Sequence, residues 1–314
     1  SDGHIIQGLQ IQGFGATGIL VTSANNLIGG AGQSNTIVDN GVGVTITGAA
    51  ATGNILQDNF IGSDAVNTVG IGNGVGVVIN AGANGNFIGT GGAGNLISGN
   101  ATDGVQIDGA NNNAVQGNTI GLDAGINLGL PNGGDGVSVF NASVANAITG
   151  NYISGNTGDG VQISGNADGT NVSNNVIGLG DNGNLTAASQ ANGGNGVYIN
   201  GAVNNVISGN FISNSLGHGV LIDNAGVTSA DNVINGNLIG LQAGGTAAGN
   251  ALNGIQIVGA ITSVISNNTI SNNTQGIFLD GAIVKSDIIS NVISANTANG
   301  VALIGSDGVE ITAN

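Results

Sequence analysis

Cysteine, methionine, tryptophan and arginine are absent from this 314-residue chain, and Lys285 is its one basic side chain besides His4 and His218. Without cysteine there is no disulfide framework and no thiolate metal site. With 1 basic residue against 17 acidic ones the net charge is −16. Such a chain cannot neutralise phosphates, which excludes nucleic acid as a partner. Anionic membranes and anionic polysaccharides are repelled unless a cation intervenes. No run of eighteen apolar residues occurs, so no membrane insertion is expected. Proline occurs once and aromatic residues make up 3%. The lack of cysteine fits a secreted or cell-surface setting. The start at Ser1, without methionine, reads as a processed product or an excised segment.

What the chain has instead is glycine, 62 residues of it, and a returning phrase. Gly-Val-x-Ile or a close variant begins at Gly18, Gly43, Gly76, Gly104, Gly136, Gly160, Gly196, Gly219, Gly254, Gly276 and Gly300, at spacings of 22 to 36 residues. Two shorter Asn-x-Ile phrases, five residues apart, follow most of these. A period of this size describes a solenoid, whose units bury their apolar faces only by stacking. The alternation runs for three or four positions, which is strand periodicity. The expectation is an all-β chain: one domain over 1–314, a parallel β-helix of about eleven three-strand coils, roughly 50 Å long at 4.7–4.9 Å per coil.

Residues 196–219 serve as the reference coil. Its strands start at Gly196, Asn205 and Asn210. Val197, Ile199, Ile207 and Ile212 are expected to point inward, with Tyr198, Val206 and Phe211 outward. The Asn pairs 54/59, 113/118, 146/151, 205/210 and 232/237 mark corners. Asparagine tolerates the left-handed backbone of a sharp corner, and its amide can donate and accept along the stack. Four long excursions, residues 62–75, 121–135, 178–195 and 240–253, leave the same corner on every second coil. The outward position of strand three reads Thr36, Phe60, Leu96, Thr119, Tyr152, Val176, Phe211, Leu238, Thr269 and Val292. In this phase Phe60, Leu96, Tyr152, Phe211 and Leu238 form an exposed apolar contact stripe. His4–Ile11 matches strands two and three of a coil, and Val309–Asn314 matches strand two. These edges suggest end-to-end stacking of the chain on itself, or on neighbouring domains of a larger protein.

The residue before each Gly-Val phrase runs Asp103, Asp135, Asp159, Asn195, His218, Asn253, Gln275, Asn299. Three carboxylates in consecutive coils, with backbones about 5 Å apart, leave three readings open. They are turn caps, a Ca²⁺ site joined by Asp123 from the loop that Asp135 closes, or a carboxylate pair for catalysis.

The alternation of Asn-x-Ile-Ser-Gly-Asn with Asn-x-Ile-Gly-[Leu/Ser]-Asp resembles the right-handed parallel β-helix repeats of the pectin-lyase-like superfamily, and more closely the repeat regions of large bacterial surface and secreted proteins. The resemblance implies a right-handed solenoid. Its lyases use an Arg or Lys base with Asp-bound Ca²⁺. This chain has no arginine, and Lys285 has no acidic cluster around it in sequence. Gly217-His218-Gly219 matches the polygalacturonase Gly-His-Gly, but His218 sits in the polar turn slot above. The Asn-Thr-Asp, the Asp pair and the Arg-Ile-Lys of that family are missing. The expectation is a non-enzymatic structural or adhesive rod of a secreted or surface protein, possessing no catalytic residue. The alternative is a carbohydrate-active enzyme or a polysaccharide-binding module.

Overall fold

The computed structural model describes residues 2–66, 71–187, 190–224, 229–259, 262–281 and 285–314. Its strands are short and parallel and build three sheets of 12, 11 and 11 strands. Consecutive strands go to successive sheets, so every third strand pairs with the one a coil earlier. In the reference coil Val197–Asn200 lies in the third sheet, Val206–Ser208 in the first and Phe211–Ile212 in the second. The terminal segments take the expected places: Ile5–Ile6 and Gln10–Gln12 open the first and second sheets, and Glu310–Thr312 lies in the first. Among the described residues there is no α-helix, only a 3₁₀ turn at Asp181–Gly183. None of the described helices is long and apolar enough to cross a membrane.

The period-2 alternation sets the core. Val197, Ile199, Ile207 and Ile212 are fully buried, and equivalent residues of the other coils continue each column. Burying one such side chain stabilises by about 1.5–3 kcal/mol. Stacked along one axis, these columns make a single continuous core.

Corners hold the coils in register through asparagine ladders. In the second, between the first and second sheets, Asn35, Asn59, Asn95, Asn118, Asn151, Asn175, Asn210, Asn237, Asn268, Asn291 and Asn314 succeed one another without a gap. Asn175 shows the pattern: its Oδ1 accepts both the backbone N–H and the Nδ2 of Asn151 at 2.9 Å, while its own Nδ2 donates to Ile148 O at 2.8 Å. A buried amide thereby satisfies backbone groups that the corner takes out of the sheets. The ladder asparagines are not themselves left-handed, contrary to the sequence expectation. The left-handed residue is the one before: Asn204 (φ 56°) precedes Asn205, and Gly209 (φ 65°) precedes Asn210. The turn is made first, and this leaves the next side chain pointing inward along the stack.

The alternation of tight and looped coils has a cause in the corner between the second and third sheets. Ser98, Ser154 and Ser213 of the tight coils donate their hydroxyls to Leu122 O, Leu179 O and Leu241 O of the next, looped coil at 2.7, 2.7 and 2.9 Å. At Gly121 (φ 80°) a Cβ would collide with Ser154 O and Asn156 Oδ1, which is why the looped coils read Ile-Gly.

Candidate functional site

The four excursions do leave one corner, between the second and third sheets; residues 67–70 of the first and 188–189 of the third lie outside the described residues. Three of them join into a layer. Asp181 N donates to Ile126 O at 3.2 Å, Gln190 Nε2 to Asn127 O at 3.1 Å, and Ala243 N to Gly183 O at 3.0 Å. This layer changes the contact stripe. Phe60, Leu96, Tyr152, Phe211 and Leu238 do lie on one outward row of the second sheet, in unbroken register through Thr119 and Val176. They are half-buried or buried, however, with Leu96 only 7% exposed. The Tyr152 hydroxyl accepts from Asn182 N at 3.4 Å, and Gly183 approaches the Phe211 ring. The long loops supply the cover that no separate segment of the sequence offered.

The chemically rich wall is the third sheet. Asp103, Asp135 and Asp159 stand one above another where each coil enters that sheet, and Gln106, Ser138, Gln162 and Tyr198 line up beside them. Each carboxylate continues a ladder of another kind. Asp103 Oδ1 accepts Asp135 N at 2.8 Å, Asp135 Oδ1 accepts Asp159 N at 2.7 Å, and Asp159 Oδ1 accepts Asn195 N. Asn195 Oδ1 then accepts His218 N at 2.9 Å, His218 Nδ1 accepts Asn253 N at 3.2 Å, and Asn253 Oδ1 accepts Gln275 N at 3.2 Å. Aspartate, asparagine and histidine are interchangeable here because all three present an acceptor three bonds from Cα. The sequence showed the shared slot; the bond from each residue to the next coil's amide is long-range and had no local signal.

The remaining oxygens create an electrostatic conflict. Ser138 Oγ lies 3.0 Å from Asp103 Oδ2 and 3.1 Å from Asp135 Oδ2, and Gln106 Nε2 donates to the same Asp103 oxygen at 2.8 Å. One hydroxyl proton cannot serve two carboxylates, so both contacts are good only when a carboxyl is protonated. In keeping with this, burial, opposed by the Asp159 amide and reinforced by the charges of Asp159 and Asp103, pushes Asp135 up to about 6. Burial raises Asp159 as well, against hydrogen bonds from Asn195 and Gln162. Burial followed by the charges of Asp223 and Asp159 raises Tyr198, and burial lowers His218.

Asp123 does not join this row. Its Oδ1 accepts Asn127 N at 2.8 Å and Leu128 N at 3.0 Å, closing its own loop. Among the described residues no three acidic or histidine side chains converge where a metal ion could sit.

A family model described as "Right handed beta helix region" matches residues 179–314. Three parallel sheets wound coil upon coil carry the same reading over the whole length. The chain adopts the right-handed parallel β-helix fold. No curated protein sequence matches it. Among solved structures this β-helix is similar to the mannuronan C-5 epimerase AlgE4 A-module of Azotobacter vinelandii (TM-score 0.61, 14% identity, 100% of this chain and 91% of that one). It is also similar to DFA-IIIase of Arthrobacter chlorophenolicus A6 (TM-score 0.64, 12% identity, 99% and 84%). A third is the Dettilon tailspike protein (TM-score 0.57, 17% identity, 98% and 54%). At these identities the likeness is one of fold.

Proposed function

We propose that this β-helix is a non-catalytic structural and adhesive rod of a secreted or cell-surface protein. The observation that carries the reading is the ladder through Asp103, Asp135, Asp159, Asn195 and His218. Every carboxylate of its most enzyme-like row accepts the amide of the following coil, and the same slot is filled equally well by Asn195, His218 and Asn253. A general acid or nucleophile must be free to meet substrate. The near-uniform repeat and the lack of any arginine point the same way.

One observation favours a second reading, a carbohydrate-active enzyme. Asp135, raised to about 6, shares Ser138 with Asp103, and a carboxyl poised near the working pH suits acid–base chemistry. The epimerase module and DFA-IIIase carry their activities on this same fold. Incubating the chain with alginate, pectin, fructan and neutral polysaccharides, and following new reducing ends and product composition, separates the two readings. The rod gives no turnover. Turnover that Asp135→Asn abolishes would establish the enzyme.

A further inference from the structure

On the second sheet, away from the aspartate row, a groove of about 250 Å³ opens beneath the loop residue Ala124. It is lined by Asp58, Phe60, Leu96, Thr119 and Ser34. Asp58 Oδ2 is buried and has no hydrogen-bond partner. Buried polar atoms are nearly always paired, so this oxygen is an acceptor that the chain leaves without a donor. Asp58 occupies the left-handed corner position (φ 54°) before the ladder residue Asn59. In the next two coils the residue before the ladder asparagine is Gly94 and Gly117, both of which line the groove. Where Asp58 projects a carboxylate, its neighbours project nothing, and the groove runs on along the stack.

We propose that this groove is a subsite for one pyranose ring of an uncharged glycan. The ring's hydroxyls supply the donors that Asp58 lacks, and its C–H face packs on the half-buried Phe60. The Thr119 and Ser34 hydroxyls complete a polar rim. The volume lies below the roughly 300–1,000 Å³ of a drug-sized site, which suits one ring of a longer chain. An anionic sugar is excluded by the net charge of −16 and the single lysine. A metal is not favoured, since no group of three acidic or histidine side chains lies together among the described residues. The inference is independent of whether the third-sheet wall is catalytic.

The test is a panel of neutral oligosaccharides (gluco-, xylo-, manno- and galacto-series) read by calorimetry and saturation-transfer NMR on the intact chain. Asp58→Gly is the decisive variant. It removes the carboxylate, suits the left-handed backbone and reproduces what stands at Gly94 and Gly117. The expected result is one binding series whose affinity falls at least tenfold in Asp58→Gly and weakens in Phe60→Leu, with melting unchanged in both. Binding that survives Asp58→Gly, or that is lost only in the third-sheet variant Tyr198→Phe, would overturn the proposal. So would no binding across the panel, which would leave the groove to water.

Discussion

The Asp135 carboxylate accepts the backbone N–H of Asp159 at 2.7 Å. Asparagine can make that bond equally well, and its Nδ2 can donate to Ser138, leaving the Ser138 hydroxyl free for Asp103. We expect Asp135→Asn to stabilise the fold at pH 7–8 by on the order of 2 kcal/mol, since Asp135 stands raised from 3.8 to about 6. The sign follows from the raised folded value. The contribution of Asp135 is fully favourable below 3.8 and is lost as pH rises through about 6. Thermal melts of parent and variant should therefore converge towards pH 4 and separate above pH 6. Parallel melting curves across that range would show that Asp135 titrates normally.

His218 works in the opposite direction. Its Nδ1 accepts Asn253 N, so the neutral ring with hydrogen on Nε2 is the one that fits, and burial lowers its pKa from 6.5. A depressed histidine contributes stability above 6.5 that is lost as pH falls through its folded value. His218→Asn keeps the acceptor, as Asn195 and Asn253 do in their own coils. The melting difference between variant and parent should turn more positive at pH 5 than at pH 7.5. An unchanged difference would mean that the ring is freely solvated.

Thr170, Ser215, Ser263 and Ser286 each stand where a ladder expects asparagine, and each has a buried hydroxyl with no hydrogen-bond partner. A hydroxyl on Cβ stops one bond short of the asparagine Oδ1. Thr170→Asn and Ser215→Asn should raise stability by about 1 kcal/mol each, measured by chemical denaturation. In the unbroken ladder, Asn175→Ala strands the Asn151 amide groups and the Ile148 carbonyl, and a loss of about 3 kcal/mol is expected. Equal effects at the two kinds of position would mean that the ladders do not act as continuous units.

With the Oδ1 atoms of the aspartate row engaged by backbone amides, melting in millimolar Ca²⁺ and in chelator should coincide. A ligand that bound only the folded state would shift the midpoint by mass action. A calcium-dependent rise that disappears in Asp135→Asn would establish the cation reading of Asp103, Asp135 and Asp159.

The fold was legible in the sequence because each coil repeats its own signal. Val197, Ile199, Ile207 and Ile212 alternate with outward residues at the strand period, and the register of Phe60, Leu96 and Tyr152 follows from the phrase alone. The corner asparagines were legible as a ladder but not in their backbone, because the left-handed residue is whatever precedes them: Asn204, Gly209, Asp231 or Ala145. The cover over Phe211 and Tyr152 was not legible, since it depends on loops that meet across two coils. Asp58 gave no sign either. Its interest lies in what its buried oxygen lacks, and only packing reveals that.

The bonds from Ser98, Ser154 and Ser213 to Leu122, Leu179 and Leu241 tie three tight coils to the looped coils after them. Between Gly76 and Gly254 the repeating length of this rod is therefore two coils: Gly76, Gly136, Gly196 and Gly254 stand 60, 60 and 58 residues apart. Excising one tight coil of this stretch would set two excursions on adjacent rungs, about 4.8 Å apart. Excising a pair would bring like against like and leave every column and ladder in step. A gene encoding this central stretch can lengthen or shorten by duplication and loss of whole pairs.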